Sequence, residues 1–173
     1  MRLYLIGMPG AGKTTLGRAL ATFYGVPFID LDEEIVRREG RSVAAIFSKE
    51  GEAYFREREA AALHAVLAQY PKLVLATGGG TPCFHQNLDL LLATGLTLYL
   101  AVPVEELVRR LGRAAAARPL LASLPDQQAL ETRLRETLAA RERFYTRAPL
   151  QCAAAGCSVE NIQRLILHYQ TTA

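Results

Sequence analysis

Gly7-Met8-Pro9-Gly10-Ala11-Gly12-Lys13-Thr14-Thr15 is the stretch on which the reading of this chain turns. A glycine, four free positions and then Gly-Lys-Thr follow an apolar run, Leu3-Tyr4-Leu5-Ile6, that reads as a buried strand. Glycines lack a Cβ, so successive backbone N–H groups there can curl around phosphate oxygens. A helix beginning near Lys13 aims its positive end at the same point. Lys13 is expected to reach the β and γ phosphates of a nucleotide, and the Thr14 hydroxyl to ligate Mg²⁺. The competing reading is a chance glycine-rich turn, which requires the strand, the helix and the Lys-Thr pair to coincide by accident.

Outward from this loop, Leu16, Ala19, Leu20 and Phe23 recur at helical spacing as far as Tyr24, and Gly25 with Pro27 closes the segment. A second strand, Val26 to Ile29, delivers Asp30-Leu31-Asp32 at its carboxyl end, where open α/β sheets bind their ligands. The plainer reading makes Asp32 the cap of a helix from Glu33 to Glu39, with Glu33–Arg37 and Glu34–Arg38 as surface pairs. Beside a phosphate loop, a chemical role for the two acids is favoured.

Ser42 starts a helix from Val43 to Lys49, and after Gly51 a longer one runs from Glu52 to Gln69. Arg56 and Glu59 lie three apart on it and share a face, so the acid can hold the guanidinium in one direction. A third strand, Lys72 to Ala76, runs into Gly78-Gly79-Gly80. Three consecutive glycines cost backbone entropy, and close approach of a ligand to bare backbone explains them better than a turn does. A helix from about His85 to Ala93, a strand from Leu96 to Val102 and a short helix from Val104 to Leu111 follow. The loop from Gly112 to Pro125 carries Arg113 and Arg118, and a loop of that length in a compact domain suits a lid. The chain closes with a long helix from Asp126 to near Tyr145, a strand from Leu150 to Ala154, and a helix from Val159 to Tyr169 capped by Ser158. Strands alternating with helices give a parallel, three-layer α/β sheet.

The 173 residues make one domain, half of them hydrophobic and 21% charged, with a net charge of +3. The arginines are scattered or paired with carboxylates, so neither nucleic acid nor a membrane is expected as a partner. No apolar run approaches a membrane span, and the first strand starts at Arg2, so no leader segment is expected and the location is read as cytoplasmic. Cys83, Cys152 and Cys157 show no metal-ligand spacing and are expected to be reduced thiols.

Taken in order, these motifs resemble those of the shikimate kinases: the Gly7 to Thr15 loop, Asp30-x-Asp32, Phe55-Arg56-x-x-Glu59, Gly78-Gly79-Gly80, Arg118-Pro119-Leu120-Leu121, and Arg141 four residues before Tyr145. The loop alone indicates phosphate binding; the ordered set is specific. The resemblance implies a P-loop kinase fold like that of the nucleoside monophosphate kinases: five parallel strands, a substrate-binding segment at 32–60 and a mobile lid at 112–125. It implies a monomer that transfers the γ-phosphoryl group of ATP to the 3-hydroxyl of shikimate, a step towards chorismate. Gly10, Ala11, Gly12, Lys13, Thr14 and Thr15 would then hold the ATP phosphates, with Thr14 and Asp30 supporting Mg²⁺. Asp32 would grip the acceptor hydroxyl as candidate base. Arg56 and Arg141 would pair with the shikimate carboxylate, and Gly78, Gly79 and Gly80 would line the substrate. Arg118 would reach the phosphates from the lid, with Phe47 and Phe55 as apolar walls. Family members commonly carry Pro-Leu-Tyr after the substrate arginine, where this chain has Glu142-Arg143-Phe144-Tyr145, so Arg143 competes with Arg141 for that role. Spacing to Tyr145 selects Arg141.

The residues themselves agree with those roles. A planar guanidinium binds a carboxylate through two parallel hydrogen bonds, and phosphoryl transfer depends on positioning and charge neutralisation. The alternatives are a small-molecule kinase acting on gluconate or a nucleoside monophosphate, and a nucleotide-binding module without turnover.

Overall fold

A computed structural model describes residues 1–114, 127–153 and 156–172. Its centre is a five-stranded parallel sheet in the order β2-β3-β1-β4-β5. The strands are β1 (Arg2–Ile6), β2 (Phe28–Asp30), β3 (Leu73–Ala76), β4 (Leu96–Ala101) and β5 (Leu150–Ala153). Leu3, Tyr4, Leu5 and Ile6 of β1 are all fully buried, as an unbroken apolar run between two parallel neighbours requires. The helices that cover the sheet are α1 (Lys13–Tyr24), α2 (Leu31–Glu39), α3 (Val43–Gln69), α4 (Asn87–Thr94), α5 (Val104–Ala114), α6 (Gln127–Tyr145) and α7 (Val159–Thr172). Chain reversal after β1 places β3 on one side of it and β4 on the other. The carboxyl ends of these three strands therefore open onto one cleft.

Several local expectations are corrected. Asp30, not Asp32, caps α2: its side chain accepts from the backbone N–H groups of Asp32 and Glu33. Helix α2 thus starts at Leu31, and Asp32 sits in its first turn. Arg37 and Arg38 both pair with Glu34, whereas Glu33 reaches across to Arg18. The two helices expected on either side of Gly51 are present within α3 and meet there at a kink, where Gly51 takes φ 83° and ψ 177°, a non-helical conformation that suits glycine. Helix α5 continues through Gly112 to Ala114, so the first three residues of the expected lid are helical; residues 115–125, with Arg118, lie outside the described residues. Cys152 and Cys157 are not separate thiols but bonded to each other, their Cα atoms 5.6 Å apart across the passage from β5 to α7. Cys83 is free.

Candidate active site

The phosphate loop closes between β1 and α1. Gly12 is the N-cap of α1 in the left-handed region, at φ 96°, and no side chain caps the helix. The first-turn N–H groups of α1 are therefore turned towards the loop without a side-chain acceptor, an arrangement suited to an anion. Lys13 is buried and curls back over the loop, donating to the carbonyls of Gly7 and Met8 at 2.9 Å each. Residues 9–16 line a cavity of about 780 Å³ that also reaches Asp30, Asp32, Thr77, Gly78 and Gly79.

Two carboxylates meet the loop from β2 and α2. Asp30 accepts the Thr14 hydroxyl proton on Oδ2 at 2.8 Å while its Oδ1 receives the Asp32 backbone N–H at 3.1 Å. One side chain therefore fixes both the Thr14 oxygen and the start of the helix that carries Asp32. The hydroxyl and carboxylate together are an all-oxygen donor pair that suits a hard divalent cation completed by phosphate oxygens and water. Among the described residues, no cluster of three or more His, Cys, Asp or Glu offers an alternative metal cage. Burial first, and then the Asp30 and Glu59 charges, raise the Asp32 carboxyl to a pKa of about 6 against the opposing pull of Lys13 and Arg56.

Beyond Asp32 the glycine run meets side chains, not open space. None of Gly78, Gly79 and Gly80 has a positive φ, so backbone freedom is not what they supply. A Cβ on Gly80 would fall 2.5 Å from Arg56 Nη2, one on Gly79 3.1 Å from Arg141 Nη1, and one on Gly78 3.0 Å from Glu59 Oε1. The close approach expected of these glycines is real, and its first partners belong to the protein. Arg56 is almost wholly buried: Nη1 donates to Glu59 at 2.8 Å, Nη2 to Glu52 at 3.0 Å, and Phe84 lies under the guanidinium at 4.3 Å. Phe47 and Phe55 pack on each other at 4.5 Å beside it. Arg141 faces the glycine run, whereas Arg143 is exposed and lies over Phe144, so the chain geometry favours Arg141 as the inward-facing arginine.

At the opposite end of the cavity Cys157, Ser158 and Val159 form part of the wall with Arg110; sequence reasoning offered Arg110 as a stacking partner for the adenine and assigned nothing to the segment after Leu150. Arg110 donates to the Ala11 carbonyl at 3.1 Å and to Glu106 at 2.7 Å. The signal was available: Ser158 caps the helix after β5, and the carboxyl ends of parallel strands are where ligands gather. Two further buried residues were missed as site components: Thr81, which donates to Glu59, and Tyr145, which donates to Gly79.

The fold and the sequence have counterparts among known proteins. A family model described as shikimate kinase matches residues 9–169. The shikimate kinase of Parabacteroides distasonis is 43% identical over 149 residues, covering 86% of this chain and 85% of that protein. The crystal structure of shikimate kinase from Bacteroides thetaiotaomicron superposes with a TM-score of 0.89 at 39% identity over 98% of both chains. That from Acinetobacter baumannii in complex with shikimate gives 0.84 at 38% identity, over 96% of this chain and 93% of its own. With a family model matching most of its length and relatives about 43% identical over 86% of it, the chain belongs to the shikimate kinase family.

Proposed function

We propose that this enzyme transfers the γ-phosphoryl group of ATP to the 3-hydroxyl of shikimate, giving shikimate 3-phosphate and ADP. The observation that carries this reading is a cleft that runs from the anion-binding backbone of the phosphate loop past Asp32 to Gly78 and Gly79, with two arginines packed against the glycine run at that end. A neutral sugar gives no reason for a buried guanidinium at that end; a small carboxylic acid does.

In this reading the phosphate loop and Lys13 hold the phosphates, and Arg56 and Arg141 take the shikimate carboxylate. Thr14 and Asp30 would hold Mg²⁺, which when bound neutralises charge on the phosphates. Asp32 orients the acceptor hydroxyl. As that oxygen bonds to phosphorus and the bond to ADP breaks, the hydroxyl proton passes to Asp32, whose raised pKa suits it to receive one. Arg118 and a lid at 112–125 rest on the family resemblance alone. The working unit in this reading is a cytoplasmic monomer. Among the described residues no helix is long and apolar enough to cross a membrane.

Release of ADP from Mg·ATP, measured by a coupled assay with and without shikimate, tests the reading. Shikimate-dependent release supports donor, acceptor and pocket together. Folded, ATP-binding protein that ignores shikimate but phosphorylates gluconate or a nucleoside monophosphate would overturn the acceptor.

A further inference from the structure

We propose that Thr81 is a positioning residue for shikimate: its hydroxyl fixes Glu59, and through Glu59 the Arg56 guanidinium. The inference rests on the reading that Arg56 receives the shikimate carboxylate. Thr81 follows the glycine run directly and is fully buried, as is Glu59. Its Oγ1 donates to Glu59 Oε1 at 2.6 Å, while Glu59 Oε2 accepts Arg56 Nη1 at 2.8 Å. The two oxygens of one buried carboxylate are thus divided between an anchor and a working arginine.

Thr81 is itself held from two sides. Its backbone N–H reaches the Gly78 carbonyl at 3.2 Å, and Asn87 Nδ2 donates to the Thr81 carbonyl at 3.1 Å. The hydroxyl is therefore presented by a fixed backbone and not by a mobile side chain. The need for it follows from where Glu59 points. A Cβ on Gly78 would lie 3.0 Å from Glu59 Oε1, 3.1 Å from Asp32 Oδ1 and 3.1 Å from Thr81 Oγ1, so three oxygens converge on that glycine. The Thr81 hydroxyl satisfies Glu59 Oε1 and leaves Oε2 to accept from Arg56. Without it, Glu59 holds a buried oxygen with no donor and can relieve this by rotating, which loosens Arg56.

The test compares Thr81→Val, which keeps the branched shape and removes the hydroxyl, with Thr81→Ser, which keeps the hydroxyl. Thr81→Val is expected to raise the shikimate KM about tenfold while the ATP KM stays within about twofold, and Thr81→Ser to restore the wild-type shikimate KM. An unchanged shikimate KM in folded Thr81→Val overturns the proposal. So does parallel loss of ATP and shikimate affinity, which would mark general damage. Should Thr81→Val not fold, Thr81→Ala carries the same expectation. Failure of both to fold beside a normal Thr81→Ser would assign the hydroxyl to stability and reject the positioning role. Wild-type protein without shikimate-dependent ADP release overturns the functional reading and this inference with it; wild-type turnover with an unaltered Val variant overturns this inference alone.

Discussion

Tyr145, at the last turn of α6, donates its hydroxyl proton to the carbonyl of Gly79 at 2.5 Å, and so ties the helix that carries Arg141 to the middle of the glycine run. The ring is fully buried, stacked on Tyr99 at 5.1 Å, and the hydroxyl also lies 3.8 Å from Met8 Sδ beside the phosphate loop. Burial pushes the phenol far above its ordinary pKa, so it remains a proton donor throughout the working range. Removing only this hydroxyl leaves a half-buried carbonyl without this partner, at a cost of about 0.5–1.5 kcal/mol. Tyr145→Phe is therefore expected to lower the denaturation midpoint and weaken shikimate binding, with ATP affinity close to wild type. Calorimetric titration of each ligand checks this; wild-type shikimate affinity would remove the hydroxyl from the architecture of the site.

Gly80 makes a sharper demand. Its φ of −89° and ψ of −16° are open to any residue, so alanine introduces no backbone strain. The added Cβ would instead stand 2.5–2.8 Å from Nη2, Nη1 and Cζ of Arg56. Arg56 can make room only by giving up its place against the buried Glu59, at a cost in both stability and direction. Gly80→Ala is therefore expected to lower the denaturation midpoint and to lose shikimate affinity by about tenfold, or about 1.4 kcal/mol. Loss of stability with normal shikimate affinity would contradict this account.

Much of this was legible in the residues, and what was not has physical causes. The phosphate loop is decided by local chemistry, and the strands around it by apolar runs that only a doubly covered parallel sheet explains. Asp30 and Asp32 were placed at the right strand end, but which of them caps α2 was not readable. Both are good cap residues two positions apart, and the Thr14 hydroxyl that helps hold Asp30 comes from another element. The glycine run was recognised as a site of close approach, yet its immediate neighbours, Arg56 and Arg141, reach it from helices distant in sequence. Thr81 and Tyr145 were missed for the same reason: a buried hydroxyl has no periodicity, and only the tertiary fold supplies its acceptor. Cys152 and Cys157 have no metal-ligand spacing, and only the tertiary fold shows that they are paired with each other.

Glu52 holds the place on Arg56 that a substrate carboxylate would take. Its Oε1 accepts from both Nε and Nη2 of Arg56, at 3.2 and 3.0 Å, yet its side chain is 57% exposed, whereas Glu59 is fully buried. The exposed acid is the one that can leave. A solvent-exposed ion pair is worth about 0.2–1 kcal/mol, which sets the competition at roughly 1.5- to 5-fold. Glu52→Ala is expected to tighten shikimate binding by that factor at low ionic strength, and the difference should shrink as salt screens the pair. Titrations at low and high salt measure it. Weaker binding in the variant would mean that Glu52 supports Arg56 and does not compete for it.

Asp32 gives a prediction in which stability and activity move in opposite directions. Its carboxyl is raised from 3.8 to about 6 in the folded protein, first by burial and then by the Asp30 and Glu59 charges. Between those two values the folded state binds more protons than the unfolded one, so this group makes stability fall as pH rises through the window. Below pH 3.8 the group is protonated in both states and contributes nothing; above about 6 the penalty is complete. Asp32→Asn is neutral at every pH and escapes that penalty. The variant is expected to be more stable than wild type at pH 7.5, with the gap narrowing steadily as pH falls towards 4, measured by urea unfolding across the range. Turnover should behave oppositely. Loss of a positioned base costs about 10²–10⁴ in rate, so Asp32→Asn should be nearly inactive with ATP binding retained. Wild-type kcat should itself decline as pH falls through about 6, where Asp32 takes up its proton. Wild-type turnover in Asp32→Asn would remove this carboxylate from the chemistry, and a stability gap that widened towards acid pH would show that its folded pKa is depressed, not raised.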